Sequence, residues 1–487
     1  MTEANDISPW IRKAGLFAGP AVFLIIYLTS PPEGLDPGAW HVAGVALLMA
    51  IWWITESIPI PVTALLPVVF FPILGVRTIG ESTSSFANPL IFLFLGGFLI
   101  ALALQRVGLH RRIALNIILL VGTKPSSIII GFMIAAAFLS MWVSNTATTI
   151  MMLPIALSII TLVEAKDKKT GELPTNFGMV MLLGLAYACN IGGIGTLIGT
   201  PPNALMAGYM LDTHGIEIGF VQWMLIGLPI VIVAIPAVYL VLTKLVFPLK
   251  ITEITGGEAL IREEVKGLGN MSRAEVMVGS VFIMTAVLWV TRPLLEPYIP
   301  NLSDAGIAIF GAALMFLLPV DYSRYEFVMK WEDTKQLPWG VLILFGGGLS
   351  LAAAISGTGL ADWIGFSLSG LDWISMLFML LISLTLIIFL TEITSNTATA
   401  AAFIPILASV AIMMGYDPLL LVIPAAIGAS CAFMMPIATP PNAIVYGSGL
   451  ITIPQMAKAG FVFNLLMVFL ITGMIYLLLG FVFGVEY

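Results

Sequence analysis

One five-residue word occurs twice in this chain, as Ser144-Asn145-Thr146-Ala147-Thr148 and, 251 residues on, as Ser395-Asn396-Thr397-Ala398-Thr399, each time inside long apolar sequence. The same offset carries Gly96-Gly97 onto Gly347-Gly348, Gly108-Leu109 onto Gly359-Leu360 and Pro154-Ile155 onto Pro405-Ile406. An internal duplication follows. A second pair of words comes after each copy, Thr200-Pro201-Pro202-Asn203-Ala204 and Thr439-Pro440-Pro441-Asn442-Ala443. Adjacent prolines interrupt a regular helix and free backbone polar groups. In lipid such groups are tolerated only around a cavity.

The solvent is set by composition: 59% hydrophobic residues, 10% charged residues and a mean hydropathy of +1.06 describe a polytopic membrane protein and not a soluble domain. A net charge of −7 says little about partners, because in a membrane protein the placement of charge matters more than its sum, and no nucleic-acid partner is expected. The first apolar span, 14–30, has no basic leader before it and is expected to be a retained helix. Cys189 and Cys431 both lie in apolar spans, so no disulfide framework is expected.

A spanning helix needs about 20 apolar residues. Eleven passes meet that expectation, at 14–30, 39–56, 60–76, 87–106, 178–211, 221–247, 275–291, 304–320, 337–356, 418–449 and 459–484. Two further stretches, 126–162 and 373–413, hold the Ser-Asn-Thr words in their middles and are expected to be re-entrant hairpins, because polar residues at mid-depth suit a cavity better than lipid. With the N-terminus in the cytoplasm, 18 of the 20 Lys and Arg residues then fall in inner loops, and only Arg77 and Arg292 fall outside. Counting either hairpin as a full crossing would invert the loops beyond it. The hairpins enter from opposite sides, so the repeats are inverted, an arrangement that places substrate and coupling ion at the midplane of secondary transporters. The hydrophilic connector 163–172 is expected to be an exposed cytoplasmic turn.

The expected site is oxygen-rich and lacks a fixed cation. Two hairpin tips offer hydroxyls, carboxamides and helix N-termini, which favour anionic groups, and two tips suit two carboxylates. No Lys or Arg lies in the middle of a span; Arg106 and Lys244 stand at the cytoplasmic ends of theirs. A dianion there needs a mobile counter-charge. Sodium fits, because Ser140, Ser144, Thr391, Thr394, Asn145, Asn396 and the tip carbonyls supply the oxygen ligands that hard cations take. Glu392 has Met141 as its repeat mate, so it stands outside the symmetric site and is expected to be a local anchor; Glu56 is expected at a helix end. His41, His110 and His214 lie near loop ends and no aspartate pair lies at mid-depth, which disfavours an intramembrane enzyme. Polarity confined to two symmetric points also disfavours a channel.

The paired hairpin words, the paired Thr-Pro-Pro-Asn words and the eleven passes resemble the divalent anion:sodium symporter family, the bacterial dicarboxylate transporters related to INDY, over nearly the whole chain. The resemblance implies an all-α homodimer in the inner (plasma) membrane, in contact with lipid, that imports succinate, fumarate or malate with Na+ by an elevator motion. It implies scaffold segments at 1–86 and 221–336, transport segments at 87–220 and 337–450, and a C-terminal helix at 451–487. It implies one sodium site at Ser140, Ser144, Asn145 and Gly199 and another at Thr391, Thr394, Asn396 and Ala438. Substrate would touch Asn145, Thr146, Thr200, Pro201, Asn396, Thr397, Thr439 and Pro440. A sodium-independent dicarboxylate exchanger, or a symporter for citrate or sulfate, would share the same words.

Overall fold

Proline and short polar caps start the helices of this computed structural model, which describes residues 9–122, 124–170, 176–249, 257–367 and 375–485. Pro37, Pro89, Pro125, Pro201 and Pro440 each occupy the first helical position, where a missing N–H and a fixed φ are no handicap. Asp36 accepts a 2.7 Å hydrogen bond from Gly38 N, and Asn88 accepts one of 2.8 Å from Leu90 N. Between these caps the sequences are apolar on every side, as helices immersed in lipid or in protein must be.

Among the described residues, ten helices are long and apolar enough to cross a membrane. Eight belong to the expected passes; the other two, Asn145–Leu162 and Asn396–Met413, are return arms of the expected hairpins. The remaining three passes are shorter or divided: Ile60–Thr63 with Leu66–Ile73, Asp304–Leu317, and Leu419–Ala429 with Pro440–Tyr446. Apart from a ribbon pairing Pro319–Asp321 with Glu326–Phe327, the regular structure is helical.

Both hairpins form. Pro125–Ser140 runs to a turn at 141–144 and returns as Asn145–Thr170, and Met376–Leu390 runs to a turn at 391–395 and returns as Asn396–Met413. The connector 163–172 is not the expected turn: helix continues to Thr170, consistent with the high helix propensity of Glu, Ala and Lys, and 171–172 lie outside the described residues. The position of the helix breaks is also corrected. Each proline pair opens the second half of its broken helix, and the irregular backbone precedes it, at 195–200 after Phe177–Ile194 and at 430–439 after Leu419–Ala429.

The duplicated Gly-Leu pair has a backbone cause. Gly108 and Gly359 take φ of 76° and 74° just beyond Pro89–Arg106 and Trp339–Gly357, and each turns the chain into a shorter helix, Leu109–Val121 or Leu360–Ser367.

Helix packing arranges two groups around the breaks. Pro89–Arg106 lies against Asp304–Leu317, so closely that a Cβ on Gly96 would meet the Ala308 carbonyl carbon at 2.5 Å. Elsewhere Phe177–Ile194 packs on Pro125–Ser140 and Phe220–Leu240, and the last of these packs on Ile453–Phe483. The second halves of the broken helices are exchanged between repeats. Pro201–His214 packs on Asn396–Met413, and Pro440–Tyr446 packs on Asn145–Thr170.

Candidate functional site

The two hairpin tips and the two breaks meet at one cavity of about 660 Å³. Ser144, Asn145 and Thr146 line it from the first tip, Ser395, Asn396 and Thr397 from the second, and Gly199, Thr200, Pro201, Ala438, Thr439 and Pro440 from the breaks. All eight expected substrate residues are therefore brought together. Of the expected sodium ligands, Ser140 and Thr391 do not line the cavity; both are fully buried behind the tips. Apolar wall is added by residues that include Phe98, Ala101, Leu102 and Val341, a further amide by Asn190, and the more exposed rim by Glu56, Gln105, Gln336 and Pro338. No Lys, Arg or His is among the lining residues.

Helix starts give this cavity its polarity. Asn145–Thr170, Pro201–His214 and Asn396–Met413 each begin at a residue on its wall, and the short helix Pro440–Tyr446 begins there too. First-turn N–H groups have no intrahelical partner, and the helix dipole adds partial positive charge at the same end. Together they favour an anion without a cationic side chain.

Each break is braced by its own asparagine. Asn203 Nδ2 donates to the carbonyls of Gly193 (3.1 Å) and Thr196 (2.8 Å), and Asn442 Nδ2 donates to those of Ala432 (3.1 Å) and Met435 (3.0 Å). The partners stand ten and seven residues upstream in both cases. These amides satisfy carbonyls released by the irregular backbone, which in a membrane interior would otherwise be costly. The Thr-Pro-Pro-Asn words thus contain a structural residue as well as a cap. Thr196 Oγ1 ties the first break to its hairpin by donating to the Met141 carbonyl at 2.5 Å.

The two cation sites expected from the sequence differ in detail. In the first, Ser140 Oγ and Asn145 Oδ1 are buried oxygens without a hydrogen-bond partner among the described residues. In the second, Thr391 Oγ1 lies 2.8 Å from Asn396 Oδ1 and 2.9 Å from the Ala429 carbonyl, and its single proton serves one of them at a time. Open oxygens at the first site suit a cation, whereas at the second the same pair satisfies itself until a cation competes for it. Thr394 Oγ1 is engaged with the Leu390 carbonyl (2.9 Å) and Thr399 Oγ1 (2.6 Å), which leaves its backbone carbonyl as the freer oxygen for a cation. At Gly199, an added Cβ would collide with the Gly193 carbonyl. Gly199→Ala is expected to displace the break and lower sodium-driven uptake by on the order of tenfold or more, measured on protein quantified in the membrane; unchanged uptake would remove Gly199 from the site.

Glu392 is an anchor, as its lack of a repeat mate suggested. Its carboxylate accepts hydrogen bonds from the backbone N–H groups of Phe433, Met434 and Met435 at 2.7–3.1 Å and from Asn464 Nδ2 at 2.8 Å. It occupies the second break with a built-in anion. Glu56 ends Pro37–Thr55 in the left-handed region (φ 45°) and sits 3.5 Å from Arg12. Cys189 and Cys431 are free and buried.

Sequence reasoning passed over Asn190. It is 1% exposed, lines the cavity and has Ala429 as its counterpart at the offset of the broken helices. An amide inside an otherwise apolar helix was the signal that could have found it.

The model of the sodium:sulfate symporter transmembrane region matches residues 11–483. The chain is 43% identical over 483 residues to the sodium-dependent dicarboxylate transporter SdcS of Staphylococcus saprophyticus, covering 98% of this chain and 93% of that one. It is 43% identical over 482 residues to SdcS of Staphylococcus aureus (strain USA300), covering 97% and 92%. Its fold is similar to the crystal structure of the Alcanivorax borkumensis YdaH transporter, with a TM-score of 0.56 at 13% identity over 97% of each chain. With a family match that spans nearly the whole chain and the paired hairpins and breaks in place, this polytopic membrane protein belongs to the sodium:sulfate symporter family, the divalent anion:sodium symporters, which are transporters and not enzymes.

Proposed function

We propose that this protein imports C4-dicarboxylates such as succinate, fumarate and malate by sodium symport. One observation carries the reading: a cavity ringed by helix starts and amide and hydroxyl groups, with no Lys, Arg or His in its lining. Such a ring attracts a dianion and leaves its charge to be balanced by a mobile cation. Sodium at the two oxygen clusters behind the tips supplies that balance, and Asn145 and Asn396 stand between ion and substrate. The relatives named as sodium-dependent dicarboxylate transporters support the same substrate class.

In the proposed cycle, substrate and sodium bind together and the unit bearing both hairpins and both breaks moves as an elevator against a dimeric scaffold. Tight packing supports assigning Pro89–Arg106 with Asp304–Leu317 to the scaffold, and Phe220–Leu240 with Ile453–Phe483 to the moving unit. That regroups the boundaries drawn from the sequence at 87–220, 221–336 and 451–487, since 221–336 is expected there as scaffold throughout. With the N-terminus cytoplasmic, the mouth at Glu56, Gln105 and Gln336 faces inward, the state in which cargo is released. Across from it, Arg292 pairs with Glu217 at 2.7 Å, and Asp304 accepts from Phe220 N at 2.8 Å, contacts that suit an outer closure.

Radiolabelled succinate uptake into proteoliposomes tests the reading. An inward sodium gradient is expected to drive accumulation that potassium does not. Uptake that required internal succinate and ignored sodium would make the protein an exchanger, and competition by sulfate or citrate but not succinate would change the substrate.

A further inference from the structure

We infer that Asn190 is a positioning residue that fixes the Thr439 hydroxyl as a hydrogen-bond donor toward the anion in the cavity. The inference rests on the reading that Thr439 touches the substrate.

The amide orientation is settled by its partners. Asn190 Nδ2 lies 3.2 Å from the Ala432 carbonyl, which can only accept, and 3.1 Å from Thr439 Oγ1. A third, longer approach reaches Asn442 Oδ1 at 3.4 Å; that atom is an acceptor because the other end of the Asn442 amide donates to two carbonyls. Asn190 therefore presents N–H to Thr439.

A hydroxyl oxygen has two acceptor positions and one proton. Thr439 Oγ1 accepts from Asn190 Nδ2 and, at 3.4 Å, from Asn442 N. With both acceptor positions taken, the proton has to point elsewhere, and no bond donated by this hydroxyl is seen among the described residues. Thr439 lines the cavity, so the remaining direction open to the proton is toward its contents. A rotatable hydroxyl becomes a preset donor. A carboxylate, which only accepts, is the group such a donor suits.

The arrangement breaks the repeat symmetry. The counterpart of Asn190 is Ala429, whose carbonyl instead accepts from Thr391. Among the described residues the hydroxyl of Thr200, the counterpart of Thr439, has a single hydrogen-bond partner, Ser430 Oγ at 3.4 Å, and it caps no helix N–H. One of the two threonines is locked and the other is looser, so the two ends of a dicarboxylate meet unequal partners. Asn190 belongs to the first repeat and Thr439 to the second, so the preset donor forms only when both halves are docked.

A double-mutant cycle tests this on the purified full-length protein, with succinate affinity measured calorimetrically in saturating sodium for Asn190→Ala, Thr439→Val and the combination. Each single change is expected to weaken succinate about tenfold, the loss of one oriented hydrogen bond to a charged group, and the double variant to be no weaker than Thr439→Val alone. Thermal stabilisation by sodium without succinate is expected to persist, which a merely structural lesion would abolish. Multiplying losses in the double variant, or wild-type affinity in Asn190→Ala, would overturn the inference and leave the substrate site standing. Wild-type affinity in Thr439→Val would overturn both. Should Asn190→Ala fail to fold, Asn190→Ser enters the same cycle, and whatever loss it shows must vanish when Thr439 is valine.

Discussion

Asn145→Ala and Asn396→Ala are expected to abolish sodium-driven dicarboxylate uptake while leaving the protein folded in the membrane. Each asparagine opens the return arm of a hairpin and lines the cavity, and its carboxamide carries both an oxygen that an ion can take and an NH2 that can donate to a carboxylate. Removing the amide deletes a ligand oxygen and a substrate donor at once, and two such losses at about 1.5 kcal/mol or more each give on the order of a hundredfold. The two variants are not expected to be equal. Asn145 Oδ1 has no hydrogen-bond partner among the described residues, whereas Asn396 Oδ1 has the Thr391 hydroxyl within 2.8 Å. Asn145→Ala should therefore weaken sodium binding measured without substrate more than Asn396→Ala, while Thr146→Ala should weaken substrate more than sodium. Sodium titrations and uptake assays on the same preparations check the order. Wild-type sodium dependence and substrate affinity in either asparagine variant would remove that tip from the site.

Glu392→Gln is expected to be nearly as damaging for a different reason, through loss of stability. Among the described residues every partner of this carboxylate donates: three consecutive backbone N–H groups and the amide nitrogen of Asn464, whose own oxygen has no partner there. A glutamine would turn an NH2 toward at least one N–H, leaving buried donors facing each other. The cost is on the order of 3 kcal/mol or more, enough to lower the melting temperature by roughly 5 °C or more. Residual uptake should keep its sodium dependence, because Glu392 anchors the second break and is not an ion ligand. The measurement is thermal unfolding of the purified variant beside its sodium titration. A stable variant with altered sodium coupling would reverse this assignment and make the carboxylate part of the ion path.

Much of this architecture was legible because the duplication is written in residues with few alternative uses. Polar words at mid-depth predicted the hairpins, and the Gly-Leu pairs fell on the two left-handed turns at Gly108 and Gly359. All the expected substrate residues line one cavity because each lies in one of the four repeated words, two of them tips and two of them caps. What was misplaced was local. The proline pairs suggested where the helices break, but proline suits a first turn, so the irregular backbone fell before each pair. The charged connector after the first hairpin looked like a turn, yet its residues favour helix and the return arm runs on to Thr170.

Sequence alone determined the solvent, the duplication and the identity of the tips and breaks, because long apolar runs, helix-breaking prolines and mid-membrane amides each admit few structures in lipid. Only the tertiary structure decided which groups are satisfied. It exchanged the second halves of the broken helices between repeats, set Glu392 against three N–H groups from 41 to 43 residues away, left Asn145 open where Asn396 is closed, and brought Asn190 to Thr439 across 249 residues. Hydrogen bonds are directional and short, so a pattern of residue types can say that a buried amide needs a partner, but only the packed helices choose which one.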